Sequence, residues 1–335
     1  MFKIGVIGCN YWGRNLLRNF VENTDCQIAG CSDWRSSNLK HIKDRYPFIR
    51  TTLDPLELID NPKIDALVIA SDISTHYPLA RQAILNGKHL LLDKLIASTS
   101  QEAEELVELA QTKGNILMIT NPLEYSPPGI KIKRIIDEGK LGKIYYIASS
   151  RINLGIYRQD INVIWDLASH DISLYIYWLN AEPIRAWAMG RAVAYEGNCD
   201  TAIINMEFPS GTMANIQISW LAPTKLRMTI ISGSRKMLVF DDTKSGEKIK
   251  IYDRGVALKN PQDFAEFQLT YREGDVVSPK LDTYEPLSKT IEHFLECIRK
   301  RERPRTNGTK GVKVIKILEA IERSLLNGGD MEEVK

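Results

Sequence analysis

Two patterns of hydrophobic and polar positions follow one another in turn along the first third of the chain. Short continuous apolar runs, typical of strands buried on both faces of a sheet, are separated by stretches whose apolar residues recur at helical spacing. Because strands that alternate with helices form parallel sheets, this region predicts a doubly wound α/β domain. The predicted strands are residues 3–7, 26–31, 64–70, 89–92 and 115–120, and the predicted helices are residues 15–20, 38–46, 54–59, 78–86 and 102–111.

The remainder of the chain has a different pattern. A helix is predicted at residues 130–138, a strand at 144–151 and a long, largely apolar helix at 163–179. Strands separated by turn residues follow, which favours antiparallel hairpins. One face of their sheet would cover helices, and the other must be covered or buried in an oligomer. These strands are residues 184–194, 201–208, 213–221, 228–232, 236–241 and 248–253, and the closing helices are residues 285–299 and 311–326.

The turn after the first strand has the residues of a dinucleotide-binding loop. It runs from Gly8 to Gly13, and the second strand closes on Asp33, twenty residues later. Gly8 permits a tight turn, Gly13 lets helix and strand pack closely, and the helix N-terminus faces a pyrophosphate. Asn10 replaces the central glycine of the pattern. Asparagine tolerates left-handed backbone better than most residues, but it adds bulk where the pyrophosphate approaches.

The acid at the end of the second strand favours NAD as the cofactor. Asp33 would accept hydrogen bonds from the ribose hydroxyls, and its charge would repel a 2′-phosphate. Arg35 could offset that repulsion by attracting the 2′-phosphate, so NADP is not excluded as the cofactor. Alternatively, Arg35 is a solvated surface residue. We also expect Tyr11, Trp12 and Trp34 to contact the cofactor. A glycine turn that binds no nucleotide is the alternative to the whole site.

Polar residues follow the other predicted strands of this domain. Ligands of open parallel sheets bind beyond the carboxyl ends of the strands, so these residues are predicted to line the cofactor site. They are Ser71, Asp72 and His76 after the third strand, Asp93 and Lys94 after the fourth, and Asn121 after the fifth.

Composition narrows the class of protein. The 335 residues suffice for two domains, and 44 basic and 42 acidic residues, spread throughout, give a net charge of +2. No basic stripe argues for nucleic acid, and neither a bilayer-spanning run nor a signal peptide is evident, so no membrane partner is expected. Five cysteines without a Cys-x-x-Cys pair fit free thiols in a reducing cytosol and predict a cytoplasmic protein. No metal site is expected.

Three stretches together resemble the Gfo/Idh/MocA oxidoreductases, named for glucose–fructose oxidoreductase and inositol dehydrogenase. They are residues 3–13, residues 87–94 and residues 165–171. The resemblance covers essentially the whole chain. It implies a Rossmann domain over residues 1–122, then an α/β domain over residues 123–335 with a large, mainly antiparallel sheet and C-terminal helices that pack back near the first domain. It also implies hydride transfer between NAD(P) and a hydroxyl-bearing carbon of a sugar, cyclitol or related compound.

The resemblance matches Lys94 to the family's catalytic lysine, which lies near the nicotinamide and hydrogen-bonds the reacting hydroxyl. A cation there stabilises a developing alkoxide, and a partly desolvated lysine can also relay a proton. A surface lysine at a strand end is the alternative. The family motif is Glu-Lys-Pro, whereas this chain has Asp93-Lys94-Leu95. The shorter acid and the loss of proline, which tolerates a cis peptide at low cost, could change the placement of the lysine.

A polar pair lies in the predicted long helix. Asp166 and His170 are four residues apart, so they share one face and lie within reach of each other. His170 matches the family's acid/base histidine, which accepts the hydroxyl proton as hydride leaves, and Asp166 matches the acidic residue one turn earlier. A core histidine merely paired with Asp166 is the alternative. Asp171 is expected to orient or cap rather than react.

The loop after residue 151 is a predicted rim for a sugar-like substrate. Arginine and asparagine bind hydroxyls or phosphates, and tyrosine stacks on rings. An ordinary surface loop is an equally good alternative. The predicted substrate contacts are Arg151, Asn153, Tyr157, Arg158, Trp165 and Asp166, together with Lys94 and His170.

These observations predict an NAD(P)-dependent dehydrogenase or ketoreductase acting on a sugar, with a nucleotide-activated sugar as the leading substrate class. The direction of the reaction is open, and a homodimer or homotetramer through the C-terminal sheet is expected. One alternative is a cofactor-binding protein that senses a ligand or binds a partner without catalysis. It is motivated by Asn10, Leu95 and Asn121, the last standing where relatives tend to have histidine. Another is an enzyme that oxidises and re-reduces its substrate around an elimination.

Overall fold

The computed structural model describes residues 1–155, 157, 161–194, 197–258 and 269–335, which form two compact units. The first unit comprises Met1–Ser126 and Tyr284–Lys316, and the second comprises Pro127–Thr283 and Ile317–Lys335. The boundary expected from the sequence lies at residue 122. The units differ from that expectation chiefly because a C-terminal segment belongs to the first one.

The regular elements of the described residues are as follows. The strands are β1 (Phe2–Ile7), β2 (Cys26–Ser32), β3 (Thr51–Thr52), β4 (Ala66–Ile69), β5 (His89–Leu92), β6 (Leu117–Ile119), β7 (Ile144–Ile152), β8 (Arg185–Arg191), β9 (Thr201–Glu207), β10 (Met213–Ser219), β11 (Leu226–Gly233), β12 (Met237–Asp241), β13 (Ile249–Leu258), β14 (Leu269–Val277) and β15 (Glu332–Glu333). The helices are α1 (Tyr11–Glu22), α2 (Ser36–Arg45), α3 (Leu56–Ile59), α4 (His76–Leu85), α5 (Ser100–Lys113), α6 (Pro127–Asp137), α7 (Ser169–Leu179), α8 (Pro286–Lys300) and α9 (Gly308–Leu326).

The sheet of the first unit is parallel and doubly wound. Among the described residues its strand order is β3-β2-β1-β4-β5-β6, the order of a Rossmann fold. The order reverses between β1 and β4, and doubly wound sheets bind their ligands outside the carboxyl ends of the strands at this point.

Helix α8 completes the core of the first unit. Its apolar face packs into the cluster that also contains Leu16, Leu17 and Phe20 of α1. Each fully buried side chain of this kind contributes about 1.5–3 kcal/mol. The first unit therefore depends on a segment that follows residue 283. The residues of this face are Leu287, Ile291, Phe294, Leu295 and Ile298.

The sheet of the second unit is large and mainly antiparallel. Its described strands have the order β14-β13-β12-β11-β7-β10-β9-β8-β15, in which β7 and β10 are parallel neighbours. Helix α7 packs on one face, where the rings of Trp178 and Phe240 meet edge-on and the Trp178 indole donates to the Gly129 carbonyl. These two sheets confirm the predicted fold class.

Four elements differ from the predictions. The long helix expected at residues 163–179 is instead a π-helical turn at Ile164–Ala168 followed by α7. Strands β3, β14 and β15 have no counterpart among the predicted strands; β3 and β15 have two residues each, too few for an alternation to be read. No helix of the described chain is long and apolar enough to cross a membrane.

Candidate active site

The glycine turn joins β1 to α1 where backbone segments approach closely. Gly8 has a φ of 90°, and a Cβ there would lie 2.5 Å from the carbonyl carbon of Ala70. A Cβ on Gly13 would lie 1.9 Å from the Gly8 oxygen. Both positions therefore require glycine, as the sequence predicts for a helix that starts directly over the sheet edge.

Asn10 is the N-cap of α1. Its Oδ1 accepts hydrogen bonds from the amides of Trp12 and Gly13, both at 3.0 Å, and its Nδ2 donates to the Ala70 carbonyl at 3.1 Å. Its φ is −66°, so the tolerance of asparagine for left-handed backbone is not needed here. The residue instead satisfies two helix amides and ties the glycine turn to the end of β4.

Asp33 is fixed against the glycine turn. One carboxylate oxygen accepts from the Cys9 amide at 2.7 Å and from Asn38 Nδ2 at 3.0 Å, and the other accepts from the Arg35 amide at 2.8 Å. A carboxylate has about four acceptor positions, so these bonds leave room for a further donor such as a ribose hydroxyl.

Two large aromatic side chains are exposed beside this turn. Tyr11 is 75% exposed and Trp34 is 69% exposed. The Arg35 guanidinium lies over the Trp34 ring, 4.3 Å from its centroid, as a cation–π pair. Trp12, by contrast, is half-buried against the core of the first unit. The turn, the acid and the two exposed rings fit the phosphate, ribose and adenine of a dinucleotide.

The residues after β4 separate into exposed and buried groups. Asp72 is exposed, and the Ser71 hydroxyl lies 2.7 Å from that of Thr75. His76 is 1% exposed, with Nδ1 2.7 Å from the Leu95 carbonyl oxygen and Nε2 3.0 Å from that of Ser71. Its ring nitrogens therefore face backbone rather than the cofactor that the sequence assigned to them.

Lys94 lies at the carboxyl end of β5, the same edge of the sheet as the glycine turn. It is half-buried, as is Asp93, and the peptide bond between Lys94 and Leu95 is cis. Asn121, after β6, is buried, and its Nδ2 donates to Glu124 Oε1 at 3.2 Å. The amide at position 121 is thus oriented by an interior carboxylate.

In the second unit, Asp166 lies in the π-helical turn and is held by a residue that the sequence analysis missed. The Trp220 indole donates to Asp166 Oδ2 at 3.3 Å, and the Trp165 indole donates to Glu322 Oε2 at 3.0 Å. Trp220 directly follows β10, and no motif singles it out. π-Turns inside helices occur often at functional sites, which agrees with a role for Asp166.

His170 lies in the first turn of α7, next to the buried ion pair of Asp171 with Arg151. Arg151 Nε and Nη2 donate to the two oxygens of Asp171, at 2.6 Å and 3.2 Å. Burial lowers the pKa of Arg151, but the charge and hydrogen bonds of Asp171 outweigh it, so that pKa is raised. Arg151, predicted to contact substrate, instead anchors the turn that carries His170.

The predicted substrate loop is only partly described. The backbone N–H of Asn153 donates to the Ser219 carbonyl at 3.1 Å. The Tyr157 ring meets the Trp220 ring edge-on, with centroids 5.5 Å apart. Tyr157, Trp220 and Asp166 therefore form one cluster in the second unit. Arg158 lies outside the described residues. Among the described residues, no group of three or more His, Cys, Asp or Glu side chains could hold a metal ion.

Family comparisons agree with this geometry. Residues 2–121 match the oxidoreductase family with an NAD-binding Rossmann fold, GFO_IDH_MocA, and residues 130–239 match the GFO/IDH/MocA C-terminal domain. The chain therefore belongs to the Gfo/Idh/MocA family of NAD-binding oxidoreductases, which confirms the resemblance found in the sequence.

Individual relatives span most of the chain. Myo-inositol 2-dehydrogenase of Thermotoga maritima is 23% identical over 96% of this chain and 96% of its own length. UDP-N-acetylglucosamine 3-dehydrogenase of Acidithiobacillus ferrooxidans is 29% identical over 65% of this chain and 66% of its own. A solved structure of UDP-N-acetylglucosamine 3-dehydrogenase from the same organism superposes with a TM-score of 0.81 at 24% identity, covering 97% of this chain and 98% of that one, and supports the fold.

Proposed function

We propose that this protein is an NAD-dependent dehydrogenase that oxidises a CH–OH group of a sugar or cyclitol, or reduces the matching ketone. The observation that carries the proposal is that Lys94 and the glycine turn share the carboxyl edge of one parallel sheet. Ligands of doubly wound sheets bind at that edge. A lysine at that edge can reach the oxygen on the reacting carbon of a substrate that lies beside a bound dinucleotide.

Asp33 supports NAD over NADP. Its carboxylate is locked by three hydrogen bonds and would repel a 2′-phosphate at the ribose. The Arg35 side chain, which could attract such a phosphate, stacks on Trp34. We therefore propose tighter binding of NADH than of NADPH.

The catalytic roles follow from the chemistry of each side chain. When bound, the nicotinamide ring accepts or supplies the hydride. Lys94 donates a hydrogen bond to the reacting oxygen and stabilises its developing negative charge. His170 accepts the hydroxyl proton during oxidation and returns it during reduction. Asp166, oriented by Trp220, binds a substrate hydroxyl or orients the imidazole.

A nucleotide-activated sugar is the proposed substrate class, with a cyclitol next. Relatives of both kinds occur among the matched proteins. Tyr157 and Trp220 offer an aromatic pair against which a ring could pack. Asn153 and Arg158 remain proposed substrate contacts, whereas we now assign Arg151 a positioning role through Asp171.

The test is a titration with NADH and NADPH followed by cofactor fluorescence. The loaded protein is then offered sugars, cyclitols and nucleotide sugars while nicotinamide absorbance is monitored. We expect tighter NADH binding and turnover of one substrate class. Lys94→Ala and His170→Ala should each abolish turnover with little change in NADH affinity, and the exposed Lys113→Ala is the matched control. Unchanged turnover in both variants would refute the assigned roles.

Two other readings have specific predictions. A sensor without catalysis is favoured by the Asn10 cap, which already occupies the amides of Trp12 and Gly13. It predicts NADH binding with no absorbance change on any substrate. An enzyme that oxidises and re-reduces its substrate predicts NAD that stays bound throughout turnover and co-purifies with the protein.

We further propose that the protein assembles as a homodimer or homotetramer through the open face of the second-unit sheet. Met189 pairs across the strands with Ile203, and Met213 pairs with Tyr146. All four lie on one face and are 41–72% exposed. Light scattering should give a mass above one chain, and Ile203→Glu should reduce it. A wild-type protein of 38.1 kDa in solution would contradict the assembly.

A further inference from the structure

His76 bridges two loops at the carboxyl edge of the first-unit sheet. It begins α4, is 1% exposed, and presents each ring nitrogen to a backbone carbonyl. Nδ1 lies 2.7 Å from the Leu95 oxygen, and Nε2 lies 3.0 Å from the Ser71 oxygen. Carbonyl oxygens only accept hydrogen bonds, so the number of ring protons decides how many of these contacts are bonds.

The ring carries one proton at neutral pH. Burial lowers the pKa of His76, and the two carbonyl oxygens offset only part of that shift. A neutral imidazole has a single N–H, so only one contact is a hydrogen bond at a time. The contact to Leu95 is the shorter, and we therefore assign the proton to Nδ1.

The backbone of Lys94 is consequently anchored on both sides. The Asp93 amide donates to the Ile69 carbonyl at 2.8 Å, one residue before the lysine. The Leu95 carbonyl accepts from His76, one residue after it. Leu95 itself is buried, as are the two residues that follow it. These two contacts constrain the backbone on either side of Lys94.

We propose that His76 is a positioning residue for Lys94, acting through an Nδ1–H bond to the Leu95 carbonyl. This inference rests on the proposed role of Lys94 at the reacting oxygen. A catalytic group displaced by 1 Å can lose about a hundredfold in rate. Loss of the bond should therefore lower kcat, while the substrate KM and the NADH Kd change little.

Two variants separate the ring nitrogens. In His76→Asn the side-chain amide nitrogen can occupy the position of Nδ1 and keep the bond to Leu95. In His76→Gln it reaches the position of Nε2 and keeps the contact to Ser71. His76→Phe removes both ring nitrogens, and the exposed His41→Gln is the control. We expect kcat to fall by about ten- to a hundredfold in the Gln and Phe variants and by less than about fivefold in the Asn variant.

Two readouts are independent of turnover. Ring ¹⁵N labelling of the five histidines, assigned with His76→Asn, should show a protonated Nδ1 on His76. Lys94 can also be acylated with a small amine-reactive reagent, and its modification measured by peptide mass spectrometry with Lys113 as internal reference. The rate of acylation at Lys94 should rise at least threefold in the Gln variant but not in the Asn variant. Equal behaviour of these two variants, or a proton on Nε2, would overturn the proposal. A wild-type protein that neither binds NADH nor turns over substrate would refute the proposed function, and these two readouts would still decide the role of His76.

Discussion

The buried pair of Arg151 and Asp171 allows a sharp test of whether Arg151 is structural or binds substrate. Asp171→Leu should destabilise the second unit, because the guanidinium cannot lose its proton and would be left buried without a partner. The two side chains are 10% and 2% exposed and share two hydrogen bonds, of 2.6 Å and 3.2 Å. Breaking such a pair from one side costs about 3–5 kcal/mol. The double variant Arg151→Met/Asp171→Leu should recover most of that loss.

Arg227 provides a matched control on the neighbouring strand. It pairs directly across from Arg151 in the sheet, yet its side chain is 39% exposed and its Nη1 lies 4.0 Å from Asp242 Oδ2. Arg227→Met should therefore change the free energy of unfolding by less than about 1 kcal/mol.

The assay is urea unfolding followed by tryptophan fluorescence, with linear extrapolation to water. In a Trp12→Phe/Trp34→Phe background the remaining tryptophans all belong to the second unit, so the signal reports on that unit alone. The reasoning would be refuted if Asp171→Leu lost less than about 1 kcal/mol, or if the double variant were no more stable than the single one.

Three further predictions concern the first unit and pH. Asn10→Gly frees two helix amides for a pyrophosphate and should tighten NADH binding by about three- to tenfold in a fluorescence titration; weaker binding would show that the cap supports the site. Gly13→Ala places a Cβ against the Gly8 oxygen and should weaken NADH binding by at least about tenfold, or prevent folding as judged by circular dichroism. Burial lowers the pKa of His76, His89 and His293 below the value of about 6.5 expected in the unfolded chain, so the free energy of unfolding should fall as pH drops from 7 to 5. Urea unfolding across that range should show the decline, and constant stability would contradict it.

Five of the six described strands of the parallel sheet could be predicted because they are continuous apolar runs between helices, a pattern with one common structural solution; β3 (Thr51–Thr52) has no such run. The glycine turn could also be predicted from the sequence. Gly8 and Gly13 are demanded by local backbone approach, and Asp33 follows at a fixed distance along the chain. These features are encoded by short spacings, which a sequence displays directly.

The burial of Arg151 could not be predicted, because it depends on a partner twenty residues away on a different element. Position 151 is the second-last residue of strand β7, whose alternation of buried and exposed residues is weak, so its burial was ambiguous. The contacts of His76 were hidden for the same reason, since both of its partners are backbone carbonyls with no side-chain signature. The π-turn around Asp166 has no sequence signal that we can identify.

The place of α8 in the first unit has a consequence for synthesis on the ribosome. The strands next to the glycine turn leave the exit tunnel early. The hydrophobic core to which they belong is incomplete until residues 286–300, which form α8, have been translated. Domains commonly fold from the N-terminus as they emerge, at about 5–20 residues per second. Here the N-terminal unit is the one that must wait. Its incomplete apolar surface stays exposed while strands β7 to β14 of the second sheet are being made, so the nascent chain presents that surface to chaperones for a prolonged interval.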